Sequence, residues 1–180
     1  MIAPATRLGL DDFTADSPGA ARGETDVQRA GLIDGVTITP LAVNSDPRGS
    51  LSELLTARDG PIEPIVHIYQ VTAPAGSIRA WVYHRHQFDR LAFGTGRFEV
   101  VLYDIRSGSA TANRLDVFHL GLEQPVLLRI PPFVVHGVRN IGSETATFVN
   151  MPTRTYDPGA PDKYRLNWDD PRIPFRFDGR

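Results

Sequence analysis

The residues best equipped for chemistry lie in the block Tyr83, His84, Arg85, His86, Gln87, Phe88, Asp89, answered some fifty positions later by Pro131, Pro132 and His136. Three of the chain's five histidines sit in these two places. In an extended strand alternate side chains share a face, so His84 and His86 are expected to point into one small volume. An imidazole titrates near pH 6.5 and serves either as a proton-transfer base or as a metal ligand. Both chemistries are open to this cluster.

The elements that must position these residues read as strands. Short runs rich in Val, Ile, Leu, Phe and Tyr alternate with Gly, Pro, Asp and Asn from Gly31 onward. Strands are expected at Thr37 to Leu41, Ile65 to Thr72, Ile78 to Tyr83, Arg90 to Phe93, Phe98 to Asp104, Leu115 to Leu120, Val126 to Ile130, Val134 to Arg139 and Ala146 to Met151. Glu53 to Ala57 suggests a short helical turn. With no long amphipathic helix, the pattern predicts an all-β antiparallel sandwich or barrel, of which the cupin jelly roll, a double-stranded β-helix, is one kind. Residues 1–30, rich in Ala, Gly, Asp and Thr, are expected to form a partly disordered arm or to lie over a partner subunit. Residues 31–180 form the domain, and its tail from Tyr156 is expected to be an irregular segment across the barrel mouth or rim.

Composition narrows the function. A chain of 180 residues fits one domain that buries roughly 70% of its unfolded surface. With no cysteine, disulfides, thiolate metal sites and cysteine nucleophiles are excluded. A net charge of -2 offers no global field for nucleic acid or anionic lipid. Lys163 is the only lysine among 19 basic residues, and arginine's planar fork suits a phosphorylated ligand. No apolar run is long enough to span a membrane and no secretion signal is apparent, so the cytoplasm is expected.

Five segments in order resemble the dTDP-4-dehydrorhamnose 3,5-epimerases and related sugar-nucleotide cupins, over about Leu32 to Phe177. Asp46-Pro47-Arg48-Gly49-Ser50-Leu51-Ser52-Glu53 resembles D-x-R-G-x-F-x-E, and Gly76 to His84 is similar to G-x-x-R-G-x-H. Gly96 to Arg106 resembles the strand ending in D-x-R, Ile130 to Gly137 resembles I-P-x-G-x-A-H-G, and Asn167-Trp168-Asp169-Asp170-Pro171 resembles W-N-D-P.

The resemblance implies a cytoplasmic homodimeric cupin of dTDP-rhamnose or polysaccharide biosynthesis, an isomerase that epimerises a dTDP-4-keto-6-deoxy sugar without a cofactor. Proton removal next to a ketone needs a base, a partner that fixes its tautomer, a donor for the enolate oxygen and an acid on the opposite face. His84 is the candidate base and Tyr156 a candidate replacement acid, while the resemblance implies Asp170 as the partner of the histidine and Arg48 and Arg79 as diphosphate ligands. Glu53, His86, His136 and Asn150 complete the expected substrate contacts. The sequence departs from the family in three places: Val82 stands at the family's histidine, Asp89 at its lysine and Asn150 at its acid tyrosine. Phe133 stands where a glycine is usual.

The same block also resembles metal-binding cupins, in which G-x5-H-x-H-x3-4-E-x6-G precedes P-x-G-x2-H-x3-N. On that reading His84, His86, Asp89 and His136 would hold Fe(II), Mn(II), Ni(II) or Zn(II). A third reading is a sugar-binding cupin that has lost the chemistry. His67 and His119 are expected to be structural, and Trp81 and Phe88 to lie in the core or an interface.

Overall fold

The computed structural model describes residues 27–57 and 61–177. In chain order its strands are β1 (Thr37–Pro40), β2 (Ala42–Asp46), β3 (Gly49–Glu53), β4 (Tyr69–Ala73), β5 (Ile78–Tyr83), β6 (Asp89–Phe93), β7 (Arg97–Asp104), β8 (Leu115–Gly121), β9 (Val126–Ile130), β10 (Val134–Asn140), β11 (Ala146–Asn150) and β12 (Tyr164–Arg165). They form two five-stranded antiparallel sheets, β1-β9-β6-β11-β4 and β12-β5-β10-β7-β8, while β2 and β3 pair only with each other. This is the all-β jelly roll that the strand pattern predicts.

The main core lies between the sheets. Phe93 of β6 and Phe148 of β11 meet Phe98 of β7, with ring centroids 5.1 to 5.6 Å apart, among Val100, Leu102, Leu128 and Ile130. Each outer face is covered as well. Met151 joins Ala92 and Leu127 on the first sheet, and the C-terminal tail brings Ile173 and Phe177 onto Trp81, Val101 and Val135 of the second. Burial on both faces explains why β6 is buried at all five positions instead of alternating.

All nine expected strands are present, with two kinds of correction. The run from Ile65 does not pair until Tyr69; just upstream of it, the carbonyls of Glu63 and Pro64 accept hydrogen bonds from the Arg90 guanidinium, at 2.9 and 3.2 Å. The hairpin β2-β3 and the short β12 were not expected, and Glu53 ends β3 instead of opening a helical turn. Residues 1–26 of the expected arm lie outside the described residues, but Gln28 already bridges to Ile38 at the edge of β1. The tail does more than cross a rim, since Tyr164 and Arg165 extend the second sheet beside β5.

Candidate active site

Strand β5 ends at Tyr83, and the chain turns through 84–88 before β6 begins. Asp162, from the tail, holds that turn. Its carboxylate accepts the backbone N–H groups of Arg85, His86 and Gln87 at 2.8, 2.9 and 3.1 Å, and these donors outweigh burial and keep its pKa low. Its carbonyl oxygen lies in close hydrogen-bond contact with His84 Nδ1. A carbonyl can only accept, so Nδ1 carries the proton and the lone pair of the neutral ring is on Nε2. The turn before β10 also grips this segment, through the Phe133 N–H donating to the His84 carbonyl at 2.8 Å.

His136 reaches the same volume from β10. Its neighbour Gly137 lets β10 lie close against β5: a Cβ there would lie 2.7 Å from Ala80 Cβ and 2.9 Å from the Trp81 ring. His136 Nδ1 donates to the Val134 carbonyl at 3.2 Å, which leaves its Nε2 inward. Between the two rings stands Asp89, the first residue of β6. Its Oδ2 is 3.3 Å from His84 Nε2 and 3.2 Å from His136 Nε2, and its Oδ1 accepts from Gln87 Nε2 at 2.9 Å and Asn150 Nδ2 at 3.3 Å. All three cluster residues are buried.

The electrostatics follow from this packing. Burial opposes ionisation of Asp89, but the two imidazoles hold its pKa well below the usual carboxylate range. Burial would likewise lower the His84 pKa; the hydrogen bond and charge of Asp89, with the Asp162 carbonyl, outweigh it and raise the value above 6.5. The cluster is one wall of a cavity of about 290 Å³ that Tyr69, Arg79, Asn150, Lys163 and Arg165 also line. Burial, followed by the charge of Arg165, lowers the pKa of Lys163. A larger groove, about 960 Å³, runs along the first sheet. Its charged residues include Glu63, Arg90 and Arg129, which are engaged with one another and with backbone carbonyls, so no free base faces it from that group.

The expected site residues divide into two groups. His84, Arg79, His136 and Asn150 line the cavity. Asp170 does not partner His84; its carboxylate accepts from the Arg172 N, Nε and Nη2 at 3.0, 2.9 and 2.7 Å, and Asp89 stands beside the imidazole instead. Tyr156 is 63% exposed and Arg48 closes the β2-β3 turn against Asp46, both away from the cavity lining. Glu53 lines the larger groove. His86 is exposed because the strand stops before it, so the alternation that would have paired it with His84 does not operate. The metal set therefore loses one of its four members; among the described residues, His84, Asp89 and His136 are the group that brings ligand atoms within 4.8 Å of one another.

Sequence reasoning missed Asp162, Lys163 and Tyr69. The first two sit in an irregular segment without periodicity, although a solitary lysine in an arginine-rich chain was a usable signal. Tyr69 lies opposite Asn150 in the β4-β11 register, and its phenol oxygen accepts from Asn150 Nδ2 at 2.8 Å. That pairing exists only once the strands are aligned.

The profile of the dTDP-4-dehydrorhamnose 3,5-epimerase family matches residues 31–178. The chain is 37% identical over 147 residues to the spore coat polysaccharide biosynthesis protein SpsL of Bacillus subtilis (strain 168), a match covering 82% of this chain and 97% of that protein. It is 38% identical over 142 residues to the probable low-salt glycan biosynthesis epimerase Agl13 of Haloferax volcanii, covering 76% and 89%. Among solved structures, a dTDP sugar isomerase from Desulfovibrio desulfuricans G20 superimposes with a TM-score of 0.75 at 28% identity, over 79% of this chain and 90% of that one.

Proposed function

Because this chain belongs to the dTDP-4-dehydrorhamnose 3,5-epimerase family, and is thereby a sugar-nucleotide isomerase, we propose that its cavity binds a dTDP-4-keto-6-deoxy sugar and that His84 removes the proton next to the ketone. The observation that carries this reading is the tautomer of His84: Nδ1 is committed to a backbone carbonyl, and Nε2, the basic atom, lies beside a buried anion inside the cavity. Asp89 stabilises the imidazolium that forms when Nε2 accepts the proton. The C–H electron pair moves into the ketone to make an enolate, and the Lys163 ammonium is the cation available to its oxygen. Arg79 and Arg165 supply forked donors for the diphosphate.

Such proton transfer needs no metal ion, because the imidazolium and the Lys163 ammonium offset the enolate and the Asp89 carboxylate. Untagged protein is expected to contain no stoichiometric Fe, Mn, Ni or Zn by elemental analysis; one tightly held ion per chain would contradict the scheme. On this reading residues 31–180 are the catalytic domain of a homodimer. A sugar-binding protein without activity would have no use for a base so placed.

The direct test is incubation of the protein with dTDP-4-keto-6-deoxyglucose in deuterated water. Deuterium is expected at C3, C5 or both. Absence of label across several dTDP-4-keto sugars would overturn the proposal.

A further inference from the structure

We propose that Tyr69 is the second proton-transfer group of this site, the acid that delivers a proton to the face of the substrate carbon opposite His84. The inference rests on the epimerase reading above and adds what inversion requires, a donor on the other side.

Tyr69 is the one tyrosine of the chain's five that lines the cavity. Tyr83 and Tyr164 stack on each other with centroids 4.9 Å apart, the Tyr103 hydroxyl meets Asn113, and Tyr156 is exposed to solvent. Tyr69 stands on β4 of the first sheet, whereas His84 follows β5 of the second, and the buried Asp89 and Asn150 lie between them as links in one chain of polar contacts.

The direction of those contacts settles where the phenol proton goes. Asp89 is an anion and can only accept, so the Asn150 atom facing it must be the amide nitrogen. That same nitrogen donates to the Tyr69 hydroxyl oxygen at 2.8 Å. The phenol is thus an acceptor toward Asn150, and its own hydrogen is not used by that contact. Tyr69 is 39% exposed, and the partial burial of its hydroxyl, with the charge of Asp89, raises the phenol's pKa, so it keeps its proton at neutral pH.

The step balances. His84 Nε2 takes the proton as the C–H bond breaks, and the electron pair passes to the ketone oxygen. The enolate then forms a new C–H bond with the Tyr69 hydroxyl hydrogen from the opposite face, leaving a phenolate that the Asn150 amide still hydrogen-bonds. Water reprotonates the phenolate and accepts the proton held by His84, which restores both groups.

The experiment is Tyr69→Phe with dTDP-4-keto-6-deoxyglucose in deuterated water, following label uptake and configuration separately by NMR, with dTDP affinity measured to show that the pocket is intact. Exchange is expected to continue, because His84 returns deuterium to the face it deprotonates, while inversion falls by about 10² to 10⁴. Asn150→Ala, which removes the donor to the phenolate, is expected to lower inversion more than exchange. Inversion at the wild-type rate in Tyr69→Phe, or equal loss of exchange and inversion with dTDP affinity preserved, would overturn the assignment. A wild-type protein that exchanges no label would instead remove the epimerase reading, and the role of Tyr69 with it.

Discussion

His84 and Asp89 are ionised together and titrate in opposite directions, so pH acts on this pair from both sides. The His84 pKa lies above 6.5, and the working base is the neutral ring. Exchange activity is therefore expected to rise with pH through a value above 6.5 and then level off. Stability runs the other way for the same group: its contribution is complete below about pH 6.5 and is lost as pH climbs through the raised value. For Asp89, whose pKa is depressed, the contribution is complete above about pH 4 and is lost as pH falls toward its folded value. Asp89→Asn removes the anion from between two buried rings. It is expected to cost about 3 to 5 kcal/mol in urea denaturation and to move the acid limb of the pH–rate profile to lower pH, since burial then dominates His84. An unmoved limb would show that Asp89 does not set the basicity of this ring.

The elements explain why His84 lines the cavity although its expected pairing with His86 does not form. Strand β5 has the predicted bounds, Ile78 to Tyr83, but the pairing of His84 with His86 assumed that it continued. The three backbone N–H groups that leave the sheet at 85, 86 and 87 are taken by Asp162, a residue 75 positions or more away in sequence. Such a partner leaves no local trace. Hairpin β2-β3 was missed for a different reason: it is mostly exposed, so no apolar alternation marks it. Asp162→Ala frees the three N–H groups and is expected to lower kcat by about 10² through misplacement of His84, with the fold retained by circular dichroism. Gly137→Ala tests the packing behind the site. The added Cβ would press on Ala80 and Trp81 at under 3 Å, and a loss of about 1 to 3 kcal/mol is expected in thermal or urea unfolding.

At the scale of the whole molecule, the jelly roll gathers a site from β4, β5 and the turn after it, β6, β10, β11 and the tail. The sandwich itself was legible because its core strands are apolar runs separated by turn residues. The cavity's composition was legible only in part: His84, Arg79, His136 and Asn150 are marked by type and spacing, whereas Lys163 and Tyr69 arrive through the tail and through strand pairing. The tail also anchors the second sheet, with Phe177 stacked on Trp81 at 5.1 Å and the Trp81 indole N–H donating to the Trp168 carbonyl at 3.0 Å. Phe177→Ala is expected to destabilise the fold by about 3 to 5 kcal/mol and, by loosening the segment that carries Asp162 and Lys163, to reduce activity before global unfolding is reached.

The central claim concerns one nitrogen atom, Nε2 of His84, and the most direct measurement is the rate of deuterium uptake next to the ketone of dTDP-4-keto-6-deoxyglucose in three proteins. Wild type and His119→Asn, whose ring lies 69% exposed on β8, are expected to exchange at similar rates, and His84→Asn to lose at least about 10² in rate while still binding dTDP. Exchange by His84→Asn at the wild-type rate would contradict the account.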